Sequence, residues 1–402
     1  MPQGITVKEI MLKYAKVQAT KKWAFNTYSG NINLMENHIF PYIGDREIQK
    51  LTPYKIEDLL SKLRKVHVKG PKSYNRPEEE IPFLSSTTVR HVYTLLSSAF
   101  DKAVEWKMLK ENPVVCEAPK KNKVETEIWA PEEIMIALER MEKKEHAILH
   151  LAVHMAFVGS MRNGETMALT QDCIDFNKNR IKISKTMQRV KRKALEAMPK
   201  GDLIFVFPEK NPNSNSVLIL KKTKTDSSER YVFMTKPLKE ELLKCMKEIE
   251  RQKAYYGENY HDFHLIFCLD NGDPIEPKLL EKRFKKWQKR YSEDLPEIKF
   301  HGLRHSSITY KLYVSGGDIK AVQGDSGHAT AAMVTDKYAH MQDSRRFALS
   351  QKLEESFYSP EIADELDADG GDEGFLMSLA NQLQKNPEAL NKLLAALDAP
   401  KR

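Results

Sequence analysis

The spacing of apolar residues changes character once along this 402-residue chain, in the stretch 116–127. Before it, apolar residues recur every three or four positions, the period of one face of a helix. Val7, Ile10, Met11 and Tyr14 follow Thr6, which stands where an N-cap is needed. Tyr28, Ile32, Met35 and Ile39 form a second run that closes at Pro41 and Gly44. Ile56, Leu59, Leu60 and Leu63 form a third, opened by Thr52-Pro53. Val89, Val92, Leu96, Phe100, Val104 and Met108 make residues 85–110 one long amphipathic helix, preceded by a polar, Pro-containing loop over 70–82. Such a pattern specifies a helical module. The stretch 116–127 is charged, contains proline and has no period, which reads as a linker.

Beyond the linker the periods mix. Pro131 suits the first turn of a helix. Ile174-Asp175-Phe176 and Ile181-Lys182-Ile183 flank Asn177-Lys178-Asn179 as a tight hairpin, and 217–220 and 231–234 supply two more short strands. Residues 186–216 exceed what a hairpin requires and read as an insertion, rich in Lys and Arg at 189–193. After Pro237 the pattern is helical except at Leu265-Ile266-Phe267, before an Asn271-Gly272-Asp273-Pro274 turn. The expected fold class is mainly α with a small β-sheet (α+β).

Charge narrows the partners. The net charge is +8, but from Ser359 onward nine acidic residues face four basic ones, so residues 1–358 carry +13. A basic body with an acidic tail suits an anionic polymer as ligand for the body alone. The four cysteines are scattered with no C-x-x-C pair, which argues against a disulfide scaffold or a cysteine zinc site and fits a reducing cytoplasm. No run approaches the roughly 18 apolar residues of a membrane span, so no membrane partner is expected.

Five short motifs carry chemistry. They are Gly159-Ser160-Met161-Arg162-Asn163-Gly164-Glu165, Lys224-Thr225-Asp226-Ser227-Ser228-Glu229-Arg230, His301-Gly302-Leu303-Arg304-His305, Gly327-His328 and Thr335-Asp336-Lys337-Tyr338-Ala339-His340. Arginine presents a planar, permanently charged fork that matches two phosphate oxygens. His301 and Arg304 lie three apart, so a helix puts them on one face. Each motif alone is weak; a single arginine at a helix end is ordinarily a surface residue.

The order Arg…Lys…His-x-x-Arg…His…Tyr resembles the active site of the tyrosine recombinases, the phage integrase family, and in particular integrases of phages and conjugative transposons. The resemblance implies that Tyr338 is the nucleophile and that Arg162, His301, Arg304 and His328 hold the scissile phosphate. It implies further that Lys224 is the general acid and that Glu165 supports Arg162. Lys221 and Lys222 rival Lys224, and Tyr310, Tyr313 and Tyr358 rival Tyr338 on composition, but neither set has the flanking match. Gly302 stands where the family often has aspartate. Strand cleavage by a phenol of ordinary pKa about 10 needs deprotonation of that phenol, charge stabilisation at phosphorus and protonation of the leaving 5′-oxygen. No metal or other cofactor is called for.

On this resemblance residues 1–115 are a helical core-type DNA-binding domain, 116–127 the linker, 128–340 the catalytic domain and 341–402 a C-terminal tail exchanged between protomers. The implied partners are double-stranded DNA at specific recombination sites, three further copies in a homo-tetramer, and accessory DNA-bending or excision factors. The implied reaction is site-specific recombination through a 3′-phosphotyrosyl intermediate and a Holliday junction. Two other readings remain open on sequence alone. A type IB topoisomerase shares the chemistry but works as a monomer, and a non-catalytic DNA-binding protein would have lost Arg162, Arg304 or Tyr338.

Overall fold

The computed structural model describes residues 4–21, 23–68, 77–120, 127–143, 146–209, 211–223, 228–331, 334–335 and 351. Lys224, Tyr338 and all of 341–402 except Gln351 therefore lie outside the described residues. The chain forms two compact units, Met1–Val334 and Thr335–Arg402, and the helices and strands from Val7 to Ser326 belong to the first.

Thr6 and Glu9 cap α1 (Val7–Lys21) reciprocally: Glu9 N donates to Thr6 Oγ1 at 3.2 Å and Thr6 N to Glu9 Oε2 at 2.8 Å. The second run is one continuous rod. Helix α2 (Phe25–Leu34) passes through a wide π turn, Met35–Ile39, into α3 (Phe40–Ile43). Pro41 does not stop it: it falls directly after the π turn, at the second residue of α3. Pro53 opens α4 (Pro53–Leu63), and Ser85 Oγ accepts from Thr88 N at 3.1 Å to start α5 (Ser86–Glu105). The expected extension of α5 to residue 110 is corrected. Lys107 takes φ 59°, Met108 N turns back to Ala103 O at 2.8 Å, and Leu109 and Val114 fold into the module core instead. That core, built from α1 and α3–α5 with the π turn, shares no buried residue with the core beyond residue 128.

The β structure is larger than expected. β1 (Ile174–Asp175) and β2 (Arg180–Ile183) form the hairpin, turned at Asn179 with φ 49°, and β6 (Arg230–Phe233) completes a sheet of order β1-β2-β6. Residues 185–216 are not a loose insertion. They supply β3 (Lys185–Lys191), α9 (Arg192–Ala197) and β4 (Leu203–Val206), and β3 and β4 flank β5 (Ser216–Lys222) in a second sheet of order β3-β5-β4. The cause is β5, whose Val217, Leu218, Ile219 and Leu220 are all buried and so need cover on both faces. Leu218 and Leu220 join the main core, while Val217 and Ile219 meet Val190, Ala194, Ala19 and Phe25. The basic run is paired accordingly: Arg189 holds Glu276 at 2.6 Å and Glu209 at 3.0 Å, and Lys191 reaches Asn33 Oδ1 at 2.7 Å. β5 and β6 lie in different sheets and do not pair with one another. At and beside the non-helical stretch 265–267 lie isolated bridges, Thr170 with Leu265 and Cys268 with Pro274.

Helices α6 (Pro131–Met141), α7 (Ala147–Val158), α8 (Asn163–Met167), α10 (Lys236–Tyr256), α11 (Pro277–Tyr291), α12 (Phe300–Val314) and α13 (Ile319–Ser326) enclose the main core. Trp129 is its largest buried residue, with Nε1 donating to Pro296 O at 2.9 Å. No helix among the described residues is long and apolar enough to cross a membrane.

Candidate active site

The site grows from the turn that ends α7. Ser160 is fully buried with φ 47°, a left-handed conformation that costs a residue with a Cβ about 1–2 kcal/mol. Its hydroxyl is held by Ser307 Oγ at 2.7 Å and Lys311 Nζ at 3.0 Å, both from α12. This turn delivers Arg162 to the N-cap of α8. Gly164 lets α8 approach β3, since a Cβ there would meet Thr186 Oγ1 at 2.7 Å and Met187 O at 2.8 Å.

Arg304 is 1% exposed in the middle of α12, although it is permanently charged. Its Nη1 donates to Ser160 O, and its Nη2 lies 3.3 Å from His328 Nε2. A guanidinium only donates, so His328 Nε2 accepts and the ring proton sits on Nδ1, directed at Ser326 Oγ 2.8 Å away. His328 follows Gly327, which closes α13 in the left-handed conformation with φ 66°. Arg162 reaches the same point: Nη2 donates to Gly327 O at 3.2 Å and Nη1 to Glu165 Oε1 at 2.6 Å. Arg162, Glu165, Arg304 and His328 are thus linked through a few bonds. His301, one turn before Arg304, is exposed and stacks edge-on against His305 at 4.8 Å, so the pair shares a helix but not a depth. Gly302 leaves room for the Glu127 carbonyl, 3.1 Å from where a Cβ would stand.

Glu165 is the electrostatic hinge. Burial alone would push its carboxyl up, but the charges and hydrogen bonds of Arg230 and Arg162 override burial and hold it below the usual carboxylate range. Arg230 Nη2 donates to Glu165 Oε2 at 3.0 Å and Nε to Asp325 O at 2.8 Å. Lys311 donates to Asp325 Oδ2 and Val158 O as well as to Ser160. Burial, with Arg230 and Arg304 nearby, lowers the Lys311 ammonium, against the pull of Asp325. Arg230 and Ser160 lie inside the sequence motifs, yet the motifs alone give them no part to play. Lys311, Ser307 and Asp325 escape sequence reasoning altogether, because only the packing of α12 against α7 and α13 brings them together.

Among the rivals, Lys221 is buried with its ammonium 5.8 Å from the Phe25 ring centre, and Tyr310 stacks on Phe157. Lys222 and Tyr313 are exposed. Tyr358, like Tyr338 and Lys224, lies outside the described residues.

A buried arginine and a second one, gathered with a Gly-His pair by helices around small sheets, are what the resemblance to tyrosine recombinases leads one to expect. The Phage integrase family matches residues 211–345, and the Phage integrase, N-terminal SAM-like domain matches residues 6–64. Both matches are to domains of phage integrases, the family this chain resembles. It is similar to the ICEBs1 integrase of Bacillus subtilis, 23% identical over 341 residues covering 82% of this chain and 78% of the relative. A tyrosine recombinase XerC-like protein of Caldanaerobacter subterraneus is 27% identical over 288 residues, 68% of this chain and 67% of that one. In fold it resembles the Tn1549 transposon integrase in complex with transposon right end DNA, with a TM-score of 0.65, 19% identity and coverage of 87% and 99%. A lambda integrase dimer bound to a core site has a TM-score of 0.53, 17% identity and coverage of 83% and 95%.

Proposed function

We propose that this tyrosine recombinase moves a mobile element by site-specific strand exchange, with Tyr338 as nucleophile. Arg162 and Arg304 would hold the two non-bridging oxygens, with His301 and His328 assisting, and Lys224 would protonate the 5′-oxygen. Glu165 supports Arg162 from beneath. The observation that carries this reading is that Arg162 donates to the Gly327 carbonyl while the buried Arg304 donates to the Ser160 carbonyl and to His328 Nε2, beside Gly327. Charge development at phosphorus requires such preorganised donors.

The division into a helical core-type DNA-binding domain (1–115), linker (116–127), catalytic domain (128–340) and tail (341–402) is supported by the two separate hydrophobic cores. The partner is duplex DNA at specific sites, bound largely through phosphate contacts and hence salt-sensitive. The Tn1549 relative is bound to transposon-end DNA and a lambda integrase tetramer to a Holliday junction, and we infer the same kind of assembly here, in the cytoplasm, with the tail docked on a neighbouring copy and accessory bending or excision factors assisting.

A nicked suicide substrate carrying the element's end tests the proposal. Wild type should accumulate a covalent protein–DNA adduct, and Tyr338→Phe should lose it while keeping duplex affinity. An adduct persisting in Tyr338→Phe, or mapping by mass spectrometry to Tyr310, Tyr313 or Tyr358, would refute the assignment.

A further inference from the structure

Two histidines upstream of the active-site turn share one carboxylate. His150 and His154 lie four apart on α7, so both face α10, where Glu241 stands between them. His150 Nδ1 is 2.5 Å from Glu241 Oε1 and His154 Nδ1 is 2.7 Å from Oε2. Among the described residues this is the group of His, Cys and acidic side chains whose ligand atoms come together, all within 4.8 Å of one another. The three side chains retain 19%, 13% and 20% of their exposure and line a groove of about 2140 Å³ between α7, α10 and α11. They are sheltered yet reachable.

We propose that His150, His154 and Glu241 bind one divalent transition-metal cation, with Zn²⁺ the best fit, and that the ion ties α7 to α10. Imidazole and carboxylate donors suit Zn²⁺, whereas Mg²⁺ and Ca²⁺ demand oxygen shells. Tetrahedral Zn²⁺ with bonds of about 2.0–2.1 Å sets neighbouring ligand atoms roughly 3.3 Å apart. The distances here bracket that value, so side-chain rotations that open the short pairs by under about 1 Å, on two fixed helices, would seat the ion.

The groove offers few rivals for a fourth ligand. Cys245, one turn beyond Glu241, directs its thiol at Ile266 O, 3.8 Å away. His146, one turn before His150, packs edge-on against Tyr291 at 5.1 Å. Water from the groove is left as the fourth ligand, giving three protein ligands and one exchangeable position. The ion would have no part in strand cleavage. It would stiffen α7, whose end at Val158 leads directly into the Ser160 turn and Arg162.

The same three residues would also make a metal-free latch, each imidazole donating to the carboxylate, and the test separates the two. Full-length protein is stripped with chelator and titrated with ZnCl2, then separately with MgCl2 and CaCl2, following the melting midpoint and bound metal per chain. We expect one equivalent of Zn²⁺, a midpoint that keeps rising as Zn²⁺ exceeds its Kd, no rise with the other two ions, and tetrahedral visible absorption when Co²⁺ replaces Zn²⁺. His150→Gln and His154→Gln retain an N–H donor for Glu241 but lose the imidazole ligand. They should therefore melt like the stripped wild type and lose the Zn²⁺-dependent rise. No Zn²⁺ equivalent in wild type, an equal rise with Mg²⁺, or an undiminished rise in the double Gln variant would overturn the proposal and leave the latch. None of these readouts involves DNA, so the result is independent of the recombinase reading.

Discussion

Glu165→Gln isolates the charge that holds Arg162 and Arg230 while nearly preserving shape. The carboxylate accepts from Arg162 N at 3.1 Å, Arg162 Nη1 at 2.6 Å and Arg230 Nη2 at 3.0 Å. Its side chain and that of Arg230 are only 4% and 5% exposed. An amide keeps one acceptor oxygen and turns an NH2 toward a second guanidinium donor, so one arginine loses its partner. Breaking a buried pair from one side costs about 3–5 kcal/mol. Arg230 keeps Asp325 O and Ser228 O, which places the expected loss near the lower bound, about 3 kcal/mol at pH 7. In a melting experiment that is a fall of roughly 6 °C or more.

The pH dependence has a definite sign. Glu165 has a folded-state value below its unfolded one, so its contribution is complete above the unfolded carboxylate pKa of about 4.3 and is lost as pH falls through the folded value. The gap between wild type and Glu165→Gln should be constant between pH 7 and 5 and close in acid. Adduct formation should fall further than duplex affinity, because Arg162 loses its anchor. A Glu165→Gln protein within 1 kcal/mol of wild type at pH 7, or a gap that widens toward acid, would refute the hinge.

Arg304→Lys should abolish adduct formation while changing duplex affinity only a few-fold, since an ammonium cannot span Ser160 O, His328 and a phosphate together; binding and cleavage are read by gel shift and suicide substrate. Gly164→Ala should cost about 1–3 kcal/mol in urea melts, because its Cβ would press on Thr186 Oγ1 and the Met187 carbonyl. Asp294, doubly bonded by Arg140, should titrate at about 2 in carboxyl NMR spectra and return to about 3.9 in Arg140→Ala.

The helical module and the motif residues were legible for different reasons. Val7, Ile10 and Met11, or Ile56, Leu59 and Leu63, repeat at the period of the face they bury, so local sequence contains the answer. The end of α5 was illegible because Val104 and Met108 continue the period, while the chain turns at Lys107 to seat Leu109 and Val114. The second sheet was hidden for a similar reason. Its Lys and Arg residues at 189–193 look like a solvated run until Glu209 and Glu276 arrive from distant segments. At the site, Arg162, Glu165, Arg304 and His328 sit in short motifs whose spacing survives translation into structure. Lys311 and Asp325 have no such spacing: they meet because α12 and α13 pack together, and their pairing holds the Ser160 turn that everything else uses.

The described site is charged ahead of its ligand. Among the described residues, Arg162, Arg230, Arg304 and Lys311 share bonds with two carboxylates, Glu165 and Asp325, an excess of two positive charges within that described set. On the proposed roles a phosphodiester supplies one negative charge to that excess and more as charge builds in the transition state. The donors it would use are engaged meanwhile by neutral acceptors, Gly327 O for Arg162 and His328 Nε2 for Arg304, which are weaker competitors than an oxyanion. Beside these donors, Ser326 Oγ, buried two residues before His328 and 2.8 Å from its Nδ1, can partner the imidazole in either tautomer, since a hydroxyl accepts from Nδ1–H in one and donates to Nδ1 in the other.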